Sequence, residues 1–178
     1  MTTSSVARLR ALPIVALVVV LGLTGCSSGA SPSAVAASPS ATAFNGVLVT
    51  GAMGSEPSFT MGDITQGTSS LQFQDIVVGT GPAAIATDKV TVQYLARSAK
   101  TKKPFDSSWA RGKPFSYDPA KVGFKAFTEG VPGMKVGGRR IVVVPGPLAY
   151  GANPPSWSGL GPNETLVFVI DLVSVDSP

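Results

Sequence analysis

The clearest pattern in the chain is alternation. In "KVTVQYLAR", Val90, Val92, Tyr94 and Ala96 share one face, while Thr91, Gln93 and Arg97 share the other. That two-residue period predicts a strand. "LQFQ" starts the same way, with Leu71 and Phe73 together, before "VVGTGPAA" turns the chain. "RRIVVVPG" is apolar on both faces, as in a strand covered on both sides. "TLVFVIDLVSV" is the longest strand signal, with Leu166, Phe168, Ile170 and Leu172 on one face. Helical spacing is confined to "VGFKAFTEGV", where Phe124, Phe127 and Val131 fall on one side and Gly133, Gly137 and Gly138 are expected to stop the helix. Many strands and one short helix predict an α+β domain, an antiparallel sheet packed on that helix.

Ahead of this domain the signals are mixed. "GVLVTG" and "PSFTMGD" each read as a short strand, with Gly51, Gly54, Gly62 and Gly67 marking turns. Residues 46–70 are therefore expected as an extension lying on the domain, which itself spans 71–178. "SSGASPSAVAASPSATA" is built of small residues, serine and proline, and cannot bury enough apolar surface to offset ordering. Residues 26–45 thus read as a flexible tether, stiffened locally by Pro32 and Pro39.

At the N-terminus, Arg8 and Arg10 precede "ALPIVALVVVLGL". This run is shorter than the about 20 apolar residues a membrane span needs, so residues 1–25 read as a signal peptide. Leu23-Thr24-Gly25-Cys26 resembles the bacterial lipobox. The resemblance implies a lipid on the Cys26 thiol, cleavage before it, and an extracytoplasmic protein held on the bacterial cell membrane. An ordinary secretory signal or an uncleaved anchor is the plainer alternative.

Composition narrows the chemistry. The 178 residues include no histidine and one cysteine. Ser-His-Asp and Cys-His mechanisms, His-ligated metals and an internal disulfide are excluded, and no cofactor is expected. The formal charge is +4, and removing Arg8 and Arg10 leaves +2, so nothing points to nucleic acid. One stretch stands out: "KKPFDSSWARGKPFSYD" sets four aromatic rings and two carboxylates among basic and small residues.

Together "VQYLARS", "KPFDSSWARGKPFSY", "FTEGVPGMKVGGRRIVVVP", "LAYG" and "GPNETLVFVIDLV" resemble, in order and spacing, the FKBP-type peptidyl-prolyl isomerases. The likeness runs from about Leu71 to Val175. It implies a twisted sheet wrapped around one short helix, and an isomerase acting on X-Pro bonds of exported proteins as they fold. The family's aromatic pocket carries over to Tyr94, Phe105, Asp106, Phe115, Tyr150 and Phe168. Phe127 stands where a tryptophan is usual at the floor, and Phe124 where a backbone N–H holds the bound chain. Gly123 replaces a common branched apolar residue, Leu160 matches an apolar residue of the loop before the last strand, and Arg111 an arginine bracing Tyr94 and Asp106. Implied partners are proline-containing polypeptides and macrolide inhibitors, for a monomer. A non-catalytic proline-binding module or chaperone on the same groove is the rival reading. A solute-binding lipoprotein is disfavoured, because such proteins are commonly larger and two-lobed.

Each ring also has a plain reading as core, which a pocket wall does not exclude. Tyr117 reads as core behind the pocket. Trp109 reads as an exposed ring for a partner or membrane. Trp157 has three open readings: covering the pocket mouth, binding substrate, or packing. Arg97, Lys100, Lys102, Lys103, Arg111 and Lys113 read as a solvated hairpin tip, with contact to anionic lipid as the second reading.

Overall fold

The computed structural model describes residues 42–64 and 69–176. The expected signal peptide, Cys26, Gly67 and most of the linker lie outside the described residues. Strands β1 (Thr42–Phe44), β2 (Val47–Thr50) and β3 (Ser58–Met61) form one antiparallel sheet in that order. A second sheet holds β4 (Gln72–Val77), β5 (Lys89–Ser98), β6 (Pro104–Ser107), β7 (Phe115–Tyr117), β8 (Arg139–Val144) and β9 (Leu166–Asp176). Its order is β4-β8-β9-β5-β6, with β7 also paired to β5. Helix α1 (Lys125–Thr128) packs on this sheet, giving the expected antiparallel α+β architecture.

The alternation seen in the sequence sorts the side chains between two cores. Val90, Val92, Tyr94 and Ala96 of β5 and Leu166, Phe168, Ile170 and Leu172 of β9 face α1, together with Phe127 and Val131. Residues of opposite parity face the other way: Leu95, Ile141, Val143, Val167 and Val169 pack against Val47, Val49, Phe59 and Ile64. The extension is thus a second layer, and its presence is why β8 is buried at every position.

Several cations of the main sheet hold this layer in place. The Arg139 side chain, 1% exposed, pairs with Asp171 through Nε at 2.5 Å and Nη2 at 2.7 Å. The same guanidinium donates to the carbonyls of Gly51 at 3.0 Å, Ser55 at 2.9 Å and Ala52 at 3.3 Å. One side chain of the main sheet thus gathers three carbonyls of the β2–β3 turn. Arg97 donates to the Phe59 carbonyl at 3.0 Å and lies over its ring, and Lys102 donates to the Gly62 carbonyl. Two members of the expected solvated cluster therefore face inward. Trp109 is also not the exposed ring expected: it is half-buried, packed against the second core.

Two boundaries differ from expectation. The linker ends earlier than residue 45, because Asn45 and Gly46 adopt positive φ (47° and 74°) and turn β1 onto β2. An Asn-Gly pair favours this hairpin turn. Helix α1 ends at Thr128, before Val131 and Gly133. A Cβ on Gly130 would lie 2.3 Å from the Ala126 carbonyl oxygen and 3.1 Å from the Val142 methyls, so only glycine lets the helix end approach β8. Arg140 secures that end, donating to the Gly130 and Pro132 carbonyls at 3.0 Å while forking onto Asp75 at 2.7 and 2.9 Å.

If residues 42–64 are integral, Phe59→Ala should cost about 3–5 kcal/mol. Asp171→Ala, which strands the buried Arg139 charge, should cost a similar about 3–5 kcal/mol. Urea unfolding measures both, and losses below about 1 kcal/mol would mean the layer is only loosely attached.

Candidate active site

The aromatic residues singled out in the sequence converge at one end of the first core. Strand register begins the assembly: Phe168 lies opposite Ala96 on β5, two residues from Tyr94, while Phe115 lies opposite Val92. Alternation then turns Tyr94 and Phe168 to the same face, where their ring centroids are 6.1 Å apart. Phe127 comes up from α1 and meets Tyr94 at 5.2 Å, Phe115 at 5.3 Å and Phe168 at 5.9 Å. Phe105 stands edge-on to Phe168 at 6.0 Å, and Phe124 lies 5.5 Å from it. Tyr150 reaches Phe124 at 5.0 Å. These separations are those of favourable offset and edge-to-face pairs.

Burial grades the cluster. Tyr94, Phe127 and Phe168 are buried, while Phe105, Phe115, Phe124, Tyr150 and Leu160 are half-buried around them. The inner rings form a floor and the outer ones keep a face toward water. A Cβ on Gly123 would meet nothing within 4 Å, so this position leaves the side next to Phe124 open. Tyr117 is core, as expected: it stacks on Phe115 at 5.5 Å and donates its hydroxyl to the Phe127 carbonyl at 3.0 Å, fixing α1 to β7.

The polar edge is a closed triangle. Tyr94 donates its hydroxyl to Asp106 Oδ2 at 2.5 Å, and Arg111 donates to Asp106 Oδ1. Arg111 Nη2 also donates to the Tyr94 oxygen at 2.8 Å, with the guanidinium 5.2 Å from the ring centre. Charge-assisted bonds of this kind hold the wall in one orientation. Of the cluster's own donors, the Phe124 backbone N–H and the Tyr150 hydroxyl make no hydrogen bond among the described residues.

Other supports escaped the sequence reading. Ser108 is fully buried, accepts the Tyr94 N–H at 2.8 Å and donates to Gln93. Ser107 donates to Glu56 at 3.3 Å, tying the strand that carries Asp106 to the second layer. Their partners, Tyr94, Gln93 and Glu56, are remote in the chain, so no local pattern points to them. Glu164 accepts from Ser98 at 2.7 Å and from the Gly161 N–H at 3.0 Å, bracing the loop that holds Leu160. In the same loop, Trp157 stands edge-on to Tyr150 at 6.5 Å.

The family model described as "FKBP-type peptidyl-prolyl cis-trans isomerase" matches residues 81–173. The chain is 42% identical over 108 residues to the FK506-binding protein of Streptomyces anulatus, covering 60% of this chain and 87% of that one. It is 43% identical over 105 residues to the probable FK506-binding protein of Corynebacterium glutamicum, covering 58% and 86%. Among solved structures, FkpA from Escherichia coli is similar with TM-score 0.54 and 36% identity, over 63% of this chain and 51% of that one. AtFKBP13 is similar with TM-score 0.55 and 30% identity, over 63% and 98%.

All three tyrosines of the chain hold their protons more tightly than usual. For Tyr94 the main cause is burial, followed by its bond to Asp106; for Tyr117 it is burial; for Tyr150, burial and then the Asp106 charge. An unfolded tyrosine ionises near about pH 10. The unfolded state therefore loses protons first, so this stabilisation is complete below about pH 10 and declines as pH rises beyond it. Phenolate absorbance of the folded chain should lag that of the urea-unfolded chain, with the urea midpoint falling over the same alkaline range. Coincident titration of folded and unfolded chains would contradict the burial described.

Proposed function

The chain belongs to the FKBP-type peptidyl-prolyl cis-trans isomerase family, and from that premise we propose that its ring cluster is where the X-Pro bond turns. Rotation about an X-Pro bond is slow because amide resonance makes the C–N bond partly double, with a barrier of about 18–20 kcal/mol. The twisted transition state has lost that resonance and carries less negative charge on oxygen. Moving it out of water therefore costs less than moving the planar amide, and a dry ring-lined site favours it. Each 1.36 kcal/mol of such preference corresponds to about tenfold in rate. No proton changes hands, which suits a chain without histidine.

The roles divide by depth. Phe127 is the floor under the pyrrolidine ring, with Tyr94, Phe115 and Phe168 around it and Phe105 at the side. Backbone N–H of Phe124 and the Tyr150 hydroxyl, both uncommitted donors, take carbonyls of the substrate chain. Asp106 and Arg111 act as positioning residues through the Tyr94 triangle. Leu160 and the open side at Gly123 shape the rim. The observation that carries this reading is the central position of Phe127, ringed by buried aromatics and bordered by a fixed polar wall. Macrolides of the kind named in the streptomycete relative are proposed to compete for this site.

The setting follows from the other end of the chain. A lipid on Cys26 would hold the enzyme at the outer side of the cell membrane, on a tether ending near residue 42, as a monomer meeting exported chains as they fold.

The purified full chain should accelerate cis–trans exchange in an X-Pro peptide or in a proline-limited refolding reaction. Phe168→Ala should lower kcat/KM about tenfold or more with the far-ultraviolet spectrum retained. A folded chain that accelerates no X-Pro exchange would defeat the site assignment, and an unaffected Phe168→Ala would move it elsewhere.

Cys26→Ala should abolish incorporation of labelled fatty acid and release the protein from the membrane or leave it uncleaved. Continued labelling and membrane retention would refute the anchor.

A further inference from the structure

The site does not stop at the proline rings. From Phe168 a row of aromatic side chains runs outward through Phe124 and Tyr150 to Trp157, with successive centroids 5.5, 5.0 and 6.5 Å apart. Burial falls along the row. Phe168 is 2% exposed, Phe124 and Tyr150 are half-buried, and Trp157 is 66% exposed. Trp157 meets Tyr150 nearly perpendicular, at 84°, and that single ring contact leaves most of the indole open.

The loop holds this ring in one place. Pro154 and Pro155 lead into a single 3₁₀ turn, Ser156–Ser158. Ser158 is buried, donates its hydroxyl to the Pro155 carbonyl at 2.6 Å, and accepts the Leu160 N–H at 3.3 Å. Gly159 then leaves the turn at φ 65°, a conformation favouring glycine. An apolar ring held out on a braced turn has already lost much of the freedom that binding would otherwise cost it.

Resting on the active-site reading above, we propose that Trp157 is an outer subsite that grips an aromatic or large aliphatic side chain of the substrate, away from the proline. The ring path bounds its reach: from Phe127 through Phe124 and Tyr150 to Trp157 the steps are 6.1, 5.0 and 6.5 Å. An extended chain advances about 3.3 Å per residue, so with the proline on Phe127 a side chain within about five positions arrives at Trp157. Such a contact is made equally in the planar and twisted amide, so it lowers KM and leaves kcat largely alone. The enzyme then selects proline bonds that lie near bulky apolar residues in sequence, which marks segments destined for a core.

The test uses the full chain and a set of otherwise identical peptides with one proline. A single Phe is stepped from about two to about five positions away on either side of it, against an all-alanine reference. At one or more positions the unsubstituted enzyme should exceed the reference about three- to tenfold in kcat/KM, through KM, the size of one aromatic pair. Trp157→Ala should flatten the series to within about twofold, and Trp157→Phe should restore part of it. In a Trp109→Phe background, Trp157 emission should shift to the blue on binding the preferred peptide and not the alanine one. A flat series with turnover intact, or a series unchanged by Trp157→Ala, overturns the outer subsite alone. Turnover of none of the peptides overturns the active-site reading with it.

Discussion

Strands β8 and β9 are apolar on both faces, and water has to be kept from both. Everything else in the molecule answers to that constraint. On one side the cover is α1 and the rings that surround Phe127. On the other it is the hairpin layer built from residues 42–64. Apolar surface alone does not orient such a layer, and a buried guanidinium needs acceptors for its donors. Arg139 meets both conditions, pairing with Asp171 on one side and fixing the layer through three turn carbonyls on the other. A buried guanidinium is tolerable there only because its donors are so fully used.

The aromatic end of the first core serves stability and the proposed binding site with the same side chains. Tyr94, Phe127 and Phe168 complete the packing beneath the sheet, while the rings around them remain partly open. Core packing fixes the inner rings, so little ordering remains to be done when a ligand arrives. The triangle of Tyr94, Asp106 and Arg111 extends that rigidity to the polar side. Ser107 and Ser108 tie the same strand pair to the second layer and to β5. The layer on the far face therefore braces the wall of the site without touching it.

How much of this was readable depended on range. The two-residue period placed Val90, Val92, Tyr94 and Ala96 together correctly, because strand geometry makes parity a local property. The resemblance singled out rings that do converge on Phe127. Contacts between distant segments were not readable. Nothing local to Arg139 points to Ser55, and Arg97 and Lys102 looked like solvated charges until their carbonyl partners were in place. Trp109 was misjudged for the same reason, since the layer that covers it comes from far upstream. The Asn45-Gly46 turn was a local signal and could have been recognised. The early end of α1 required knowing how closely Gly130 approaches β8.

Strand β9 is the last described strand in the chain, yet it lies between β8 and β5 in the middle of the sheet. Its neighbours were both made earlier and cannot pair with each other across the gap it leaves. While the chain is still growing on the ribosome, neither the sheet nor the layers on its two faces have a surface to settle on. The N-terminal hairpins, synthesised long before, must wait for residues 166–176. Folding is deferred until β9 has been made, and the pairings that close the sheet join residues as far apart as Lys89 and Asp176, which makes the closing step slow by its topology. A member of the isomerase family is thus itself built so that its sheet closes only when its central strand arrives.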